Sequence, residues 1–174
     1  MAEAHLIDPT ASISPLCDLE RSSRGSKLIV GPRAMIDAFV KIKFVGGLGD
    51  VVLGDDSHIN AGCVIYSGAG VRIGNGVRIA ANCTFATPNH AFMDRDVPIR
   101  LQGFLPSRGG IVIEDDVWIG ANCVLLDGAL IRTGAVIAAG SVIRSEVPAW
   151  HVVGGNPWQI IKTRISAGTV EGGT

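Results

Sequence analysis

The stretch IEDDVWIGANCVLLDGALIRTGAVIAAGSVI, residues 113–143, decides the fold. Within it Ile113, Ile119, Leu125, Ile131, Ile137 and Ile143 recur at an unbroken spacing of six residues. An α-helix needs an apolar period of about 3.6 and an ordinary strand a period of about 2. A period of six instead requires short strands joined by corners, with three hexapeptides closing one triangular coil of a solenoid.

The same phase extends outward through Val30-Ile36-Ile42, Leu53-Ile59-Ile65 and Ile73-Ile79-Phe85, with a weaker opening pair at Ile7 and Ile13. The residue after each aliphatic is often small or turn-forming, as in Val30-Gly31, Leu53-Gly54, Ile73-Gly74 and Ile119-Gly120, which predicts that the backbone turns there. Four residues after each aliphatic comes a narrow slot: Ala34, Val40, Ser57, Val77, Val117, Ala129, Ala135 and Ser141 occupy it. All four cysteines, Cys17, Cys63, Cys83 and Cys123, fall in this slot and have no CxxC or metal-like spacing. They read as buried filler, because a free cysteine behaves as a small hydrophobe.

Breaks in the repeat follow Ile42, Ile65 and Phe85, each after a complete triplet, so every insertion is expected to leave from one edge of the prism. The longest insertion, 88–110, carries Asn89, His90, Asp94, Arg95, Arg100, Gln102 and Arg108 and reads as a polar loop. A long loop on a rigid scaffold is where function concentrates. The coils are expected to end near Val147-Pro148, with 158–165 capping the last one and a loose Gly-rich tail from Ser166 onward. The organisation is then a β-helix over 1–160 with the protruding loop 88–110, followed by the end of the cap and the tail over 161–174.

Composition narrows the function. Fifteen Lys and Arg against 16 Asp and Glu leave a net charge of −1, so no basic field is available for a nucleic acid or an anionic membrane. No stretch approaches the roughly 18 apolar residues of a membrane span, and the first residues lack a basic segment followed by an apolar run. The expectation is a cytoplasmic protein acting on a small molecule.

Three further stretches carry a resemblance: Thr87-Pro88-Asn89-His90 at the root of the loop, Ile113-Glu114-Asp115-Asp116-Val117-Trp118-Ile119-Gly120-Ala121-Asn122, and Val153-Gly154-Gly155-Asn156-Pro157. Over about 53–164 the chain resembles the hexapeptide-repeat acyltransferases, closest to bacterial polysaccharide and sugar O-acetyltransferases and the galactoside, maltose and xenobiotic acetyltransferase group. The resemblance implies an all-β, left-handed parallel β-helix with one extended loop and a short C-terminal cap. It also implies a homotrimer that binds acyl-CoA, with acetyl-CoA as cosubstrate, in the cleft between neighbouring prisms.

On that resemblance His90 matches the general base that takes the proton of a sugar hydroxyl attacking the thioester, a task suited to imidazole at neutral pH. Asn60 matches the asparagine directed at the acceptor. Trp118 matches the wall of the CoA cleft, and Gly120, Ala121, Ala139 and Gly140 match its backbone contacts. Arg144 and Lys162 are placed where they could meet the CoA phosphates.

The chain departs from the family at Trp158-Gln159, where a basic residue is common, and in beginning its repeat by Ile7 with no helical acceptor-binding segment ahead of it. The expected activity is transfer of an acetyl group to a hydroxyl of a sugar or sugar nucleotide in cell-surface polysaccharide synthesis, with amino-sugar N-acetylation as the alternative. A γ-carbonic-anhydrase-like zinc site would need three converging histidines. Of His5, His58, His90 and His151, only His58 and His90 fall in the middle coils, so no metal site is expected.

Overall fold

The computed structural model describes residues 5–166. The tail expected from Ser166 onward lies, beyond Ser166 itself, outside the described residues. The chain winds as a left-handed parallel β-helix with three flat faces. The first face carries Leu6–Ile7, Leu28–Val30, Val51–Leu53, Val71–Ile73, Ile111–Ile113, Leu130–Ile131 and Glu146–Val147 in that spatial order. The second carries Ser12–Ile13, Met35–Ile36, His58–Ile59, Arg78–Ile79, Trp118–Ile119, Val136–Ile137 and His151–Gly155, and the third Asp18–Leu19, Lys41–Lys43, Val64–Tyr66, Thr84–Ala86, Val124–Leu126 and Val142–Ile143.

The period of six becomes vertical stacking. Leu53, Ile73, Ile113, Ile131 and Val147 lie in register on the first face. Ile36, Ile59, Ile79, Ile119 and Ile137 do so on the second, and Ile42, Ile65, Phe85, Leu125 and Ile143 on the third. All are buried. Each such side chain contributes about 1.5–3 kcal/mol of burial.

Three details differ from the sequence reading. The opening pair is a complete coil, because Asp18–Leu19 pairs with Lys41–Lys43 to form its third side. Being the end of the stack, that coil leaves Ile7 exposed and Cys17 only partly buried, whereas Cys63, Cys83 and Cys123 are fully enclosed. At the other end the winding does not stop at Val147-Pro148. His151–Gly155 adds another second-face strand, and Val153 is buried beside Ile137. The chain then reverses into Trp158–Thr163, which pairs antiparallel with His151–Gly155 and closes the end; residues 161–163, read as the end of the cap, continue this strand.

The corners also lie elsewhere. Left-handed backbone occurs three residues after the aliphatic, at Arg33, Asp56, Gly76, Asp116, Gly134 and Trp150 between the first and second faces, and at Phe39, Gly62, Asn82, Asn122 and Gly140 between the second and third. Gly31, Gly54, Gly74 and Gly120 are small for another reason: the next coil lies against them. A Cβ on Gly120 would sit 2.6 Å from the Ala139 amide nitrogen, and one on Gly54 2.4 Å from the Gly74 carbonyl oxygen.

The long insertions, 20–27, 44–50, 67–70 and 87–110, all leave the third face and return to the first. The expectation of a single edge holds. Among the described residues no helix is long and apolar enough to cross a membrane.

Candidate functional site

The long loop is anchored at both roots. At its start Thr87 is buried and its Oγ1 donates to the Tyr66 carbonyl (2.9 Å), while Pro88 packs over Gly46, where a Cβ would lie 2.5 Å from the proline ring. At its end the loop closes on Asp127, a carboxylate in a residue only 2% exposed. Asp127 accepts from Ser107 Oγ (2.8 Å), the Arg108 amide (2.6 Å) and the Gly110 amide (2.9 Å). The Arg108 guanidinium reaches on to the Asp127 and Arg144 carbonyls.

Between the roots the strand ends fold together. The Ala91 amide donates to Gly103 O (3.0 Å) and the Leu105 amide to Asn89 O (2.8 Å), which sets His90 opposite Phe104. Their rings lie 4.5 Å apart, tilted by 32°. Gln102, at the end of the short helix Ile99–Gln102, ties the tip by donating to the Asp94 and Val97 carbonyls. The loop is less polar than its sequence suggests, because Phe92, Met93, Ile99, Leu101, Phe104 and Leu105 all stand exposed. Gln102, Ser107 and Arg108 are used internally to shape it, and its apolar side chains face outward.

His90 is exposed at the mouth of a cavity of about 330 Å³ lined by Val45, Gly46, Tyr66, Ala86, Pro88 and Phe104. Among the described residues neither imidazole nitrogen has a hydrogen-bond partner. An imidazole with a free nitrogen beside a mostly apolar cavity can take a proton from an incoming nucleophile.

Asn60 lies at the opposite border of the third face, at its corner with the second. Its Nδ2 donates to the Ile79 carbonyl (2.9 Å), so the amide is fixed to the coil above. A single chain therefore does not bring Asn60 and His90 together. Gly120, Ala121, Ala139 and Gly140 do come together, at the same corner two and three coils further along. The Gly120 amide is committed to Ile137 O and that of Gly140 to Ala121 O, both at 2.8 Å. Among the described residues the Ala121 and Ala139 amides have no acceptor.

Trp118 projects from the second face between Arg78 and Val136 and is 56% exposed. Arg144 follows the last third-face strand, whereas Lys162 lies opposite Val152 on the antiparallel strand of the second face. The two cations occupy different faces.

The cysteine column does more than fill space. Cys17 donates to Asp37 O (3.0 Å), Cys63 to Ala80 O (3.3 Å), Cys83 to Gly120 O (3.2 Å) and Cys123 to Ala138 O (3.2 Å), each reaching a corner carbonyl of the next coil. The neighbouring Cys83 thiol and burial together raise Cys123 far above the ordinary thiol range. Such a thiol is no nucleophile at neutral pH.

Sequence reasoning missed two groups. Asp127 sits in an ordinary Asp-Gly corner, and nothing in its neighbours announces three donors arriving from 107–110. His58 is met by Asp37 from the preceding coil, a pairing visible only once the register Ile36↔Ile59 is known.

Comparison with known proteins gives the same fold. The family model for the bacterial transferase hexapeptide (six repeats) matches residues 110–145, and that for the hexapeptide repeat of succinyl-transferase matches 50–67. A Saccharomyces cerevisiae protein named as an acetyltransferase is 39% identical over 113 residues, covering 65% of this chain and 56% of its own length. A 2,3,4,5-tetrahydropyridine-2,6-dicarboxylate N-acetyltransferase of Staphylococcus aureus is 49% identical over 57 residues, 33% of this chain and 24% of that protein. The chain thus spans about half or less of these relatives.

Among solved structures, the N-acyltransferase AntD from Bacillus cereus, in complex with dTDP and 3-hydroxybutyryl-CoA, superposes with a TM-score of 0.71 at 21% identity, covering 88% of this chain and 79% of that one. A hexapeptide-repeat acetyltransferase from Vibrio cholerae complexed with acetyl-CoA gives 0.56 at 24% identity, covering 94% and 71%. Both likenesses are of fold.

Proposed function

We propose that this hexapeptide-repeat chain is an acyl-CoA-dependent acyltransferase that moves an acetyl group from acetyl-CoA to a hydroxyl of a sugar or sugar nucleotide, with His90 as general base. The observation that carries this reading is His90, with both ring nitrogens free, at the mouth of a cavity beneath a loop anchored at both roots. As the acceptor oxygen adds to the thioester carbonyl, His90 takes its proton. The C–S bond then breaks, the acyl–oxygen bond remains, and the proton passes to the departing CoA thiolate.

The CoA arm is assigned to the second-to-third corner, where the Ala121 and Ala139 amides are free and Gly120 and Gly140 leave room for close approach. Trp118 forms its wall, and Arg144 and Lys162 are the cations for its phosphates. Because Asn60 and His90 stand at opposite borders of one face, the site is completed by a neighbouring copy in a homotrimer. The outward apolar residues of the loop are the surface such a neighbour would cover. Cell-surface polysaccharide synthesis in the cytoplasm is the setting this chemistry suits.

A second reading, acylation of an amino group, is favoured by the names of the relatives: the Staphylococcus aureus protein is an N-acetyltransferase, and AntD has been solved with dTDP-4-amino-4,6-dideoxyglucose and coenzyme A. An amine needs the same base and the same donor. Thiol release from acetyl-CoA in the presence of a panel of sugars, amino sugars and sugar nucleotides tests both readings. His90→Ala is expected to lower turnover by about 10²–10⁴-fold while leaving acetyl-CoA binding unchanged. Full turnover in that variant would remove His90 from the mechanism.

A further inference from the structure

A general base acts from one orientation, and a histidine base is ordinarily held in it by a hydrogen bond on its second nitrogen. His90 lacks that bond: it is exposed, and among the described residues neither ring nitrogen has a partner. The ring contact that the structure gives it is Phe104, with centroids 4.5 Å apart and 32° between the planes.

The backbone sets that contact. The Ala91 amide donates to Gly103 O and the Leu105 amide to Asn89 O, so the two bonds flank the His90 and Phe104 pair instead of joining it. This is the non-hydrogen-bonded position of an antiparallel pair, where facing side chains stand closest. The arm carrying Phe104 is pinned on either side of it. Gln102 is tied to the Asp94 and Val97 carbonyls, Gly103 turns the chain with φ 77°, and Ser107, Arg108 and Gly110 close on Asp127.

Phe104 contributes little to the fold. It is 58% exposed, lies outside the hydrophobic core and lines the cavity at whose mouth His90 stands. An orienting carboxylate or carbonyl would occupy one imidazole nitrogen, whereas an aromatic ring holds the imidazole by packing and leaves both nitrogens to the reactants.

We propose that Phe104 is a positioning residue of the active site: it packs against the His90 imidazole and holds it in the orientation from which it takes the acceptor's proton. The assignment rests on the acyl-transfer reading, and Phe104 acts through His90 rather than on the reacting atoms.

In the full chain carrying ¹³Cε1-labelled histidine, with the His90 signal assigned from His90→Gln, relaxation reports the motion of the ring. In Phe104→Leu the order parameter of the His90 Cε1–H bond is expected to fall from the rigid range to below about 0.6, and in Phe104→Tyr to stay in place. Hydrogen exchange at the Ala91 and Leu105 amides is expected to match the parent in both variants, which separates loss of the ring contact from loss of the loop. In thiol-release kinetics with the most active acceptor of the panel, Phe104→Leu is expected to lower kcat about tenfold with the acetyl-CoA Kd unchanged. Phe104→Tyr is expected to keep kcat within about twofold of the parent.

A His90 ring as ordered in Phe104→Leu as in the parent overturns the proposal. Faster exchange at the two amides in that variant overturns it as well, since Phe104 would then serve the loop and not the base. So does an unchanged kcat in a variant whose ring has loosened, or a kcat as low in Phe104→Tyr as in Phe104→Leu. If the ring loosens in Phe104→Leu while the parent releases no thiol with any acceptor, Phe104 holds His90 and the acyl-transfer reading fails.

Discussion

Single side chains in this fold are judged by how close the neighbouring coil lies. Gly120 illustrates this: it reads as a turn residue in the sequence, yet its backbone is not left-handed, and what forbids a side chain is the Ala139 backbone above it. A methyl group there would meet Ala139 N at 2.6 Å and both Ala139 Cα and Ile137 O at 2.9 Å, atoms that cannot swing aside. Gly120→Ala is expected to cost about 1–3 kcal/mol in chemical denaturation through this overpacking, and a variant as stable as the parent would show that the coils separate easily. The cysteines make the same point from the other side. Their slot was legible as narrow and buried from spacing alone, but the thiol-to-carbonyl bonds required knowing which carbonyls the corners leave over.

At the scale of the element, the loop over 88–110 is held as a unit by its roots. Its start depends on Thr87 and Pro88, which the sequence marks by ending the repeat. Its end depends on Asp127, which lies 17 residues from the Gly110 amide that it accepts. Asp127→Ala leaves the Ser107 hydroxyl and two amides without their acceptor, the Gly110 amide in a buried place, and bonds to a charged group contribute about 1.5–3 kcal/mol each.

The expected result is a loss of about 2–4 kcal/mol, with the Arg108 and Gly110 amides losing hydrogen-exchange protection and the loop becoming the first site of proteolysis. Exchange unchanged at those two amides would mean that the apolar contacts of the loop hold it instead. That the loop turns apolar side chains outward was not legible, because charged and apolar residues alternate irregularly there. Only the folded backbone shows which of them are spent on internal bonds.

Across the whole molecule, charged side chains tie one coil to the next along the edge between the first and second faces. Arg33 pairs with Asp56, Glu114 with Arg132 and Arg132 with Glu146, each at 2.6–2.9 Å. Hydrogen bonds from the Thr133 amide and from Arg132 hold the Glu114 carboxyl below the usual carboxylate range, and the Arg33 guanidinium does the same for Asp56. A carboxyl whose pKa is depressed by folding contributes stability above its unfolded pKa and loses it as pH falls through the folded value.

The melting temperature is therefore expected to be level around neutrality and to fall once the pH drops below the ordinary carboxylate range. Glu114→Gln is expected to melt lower at neutral pH and to show a shallower acid decline. An acid decline as steep as that of the parent would place the sensitive groups elsewhere. Exposure of these pairs keeps each effect small, so the test is the slope rather than the midpoint.

The order of residues alone determined the solenoid, its three-sided coil, the single edge from which insertions leave and the position of His90 at the root of the longest one. Those features follow from a periodic apolar pattern that only one regular winding can bury. Tertiary structure decided the rest: that Asp127 closes the loop, that Gly120 yields to a neighbouring coil, and that Asp37 faces His58 beside Asn60. Each of these joins residues 17 to 21 positions apart whose meeting depends on the length of the intervening coil and insertion, and no local pattern records that sum.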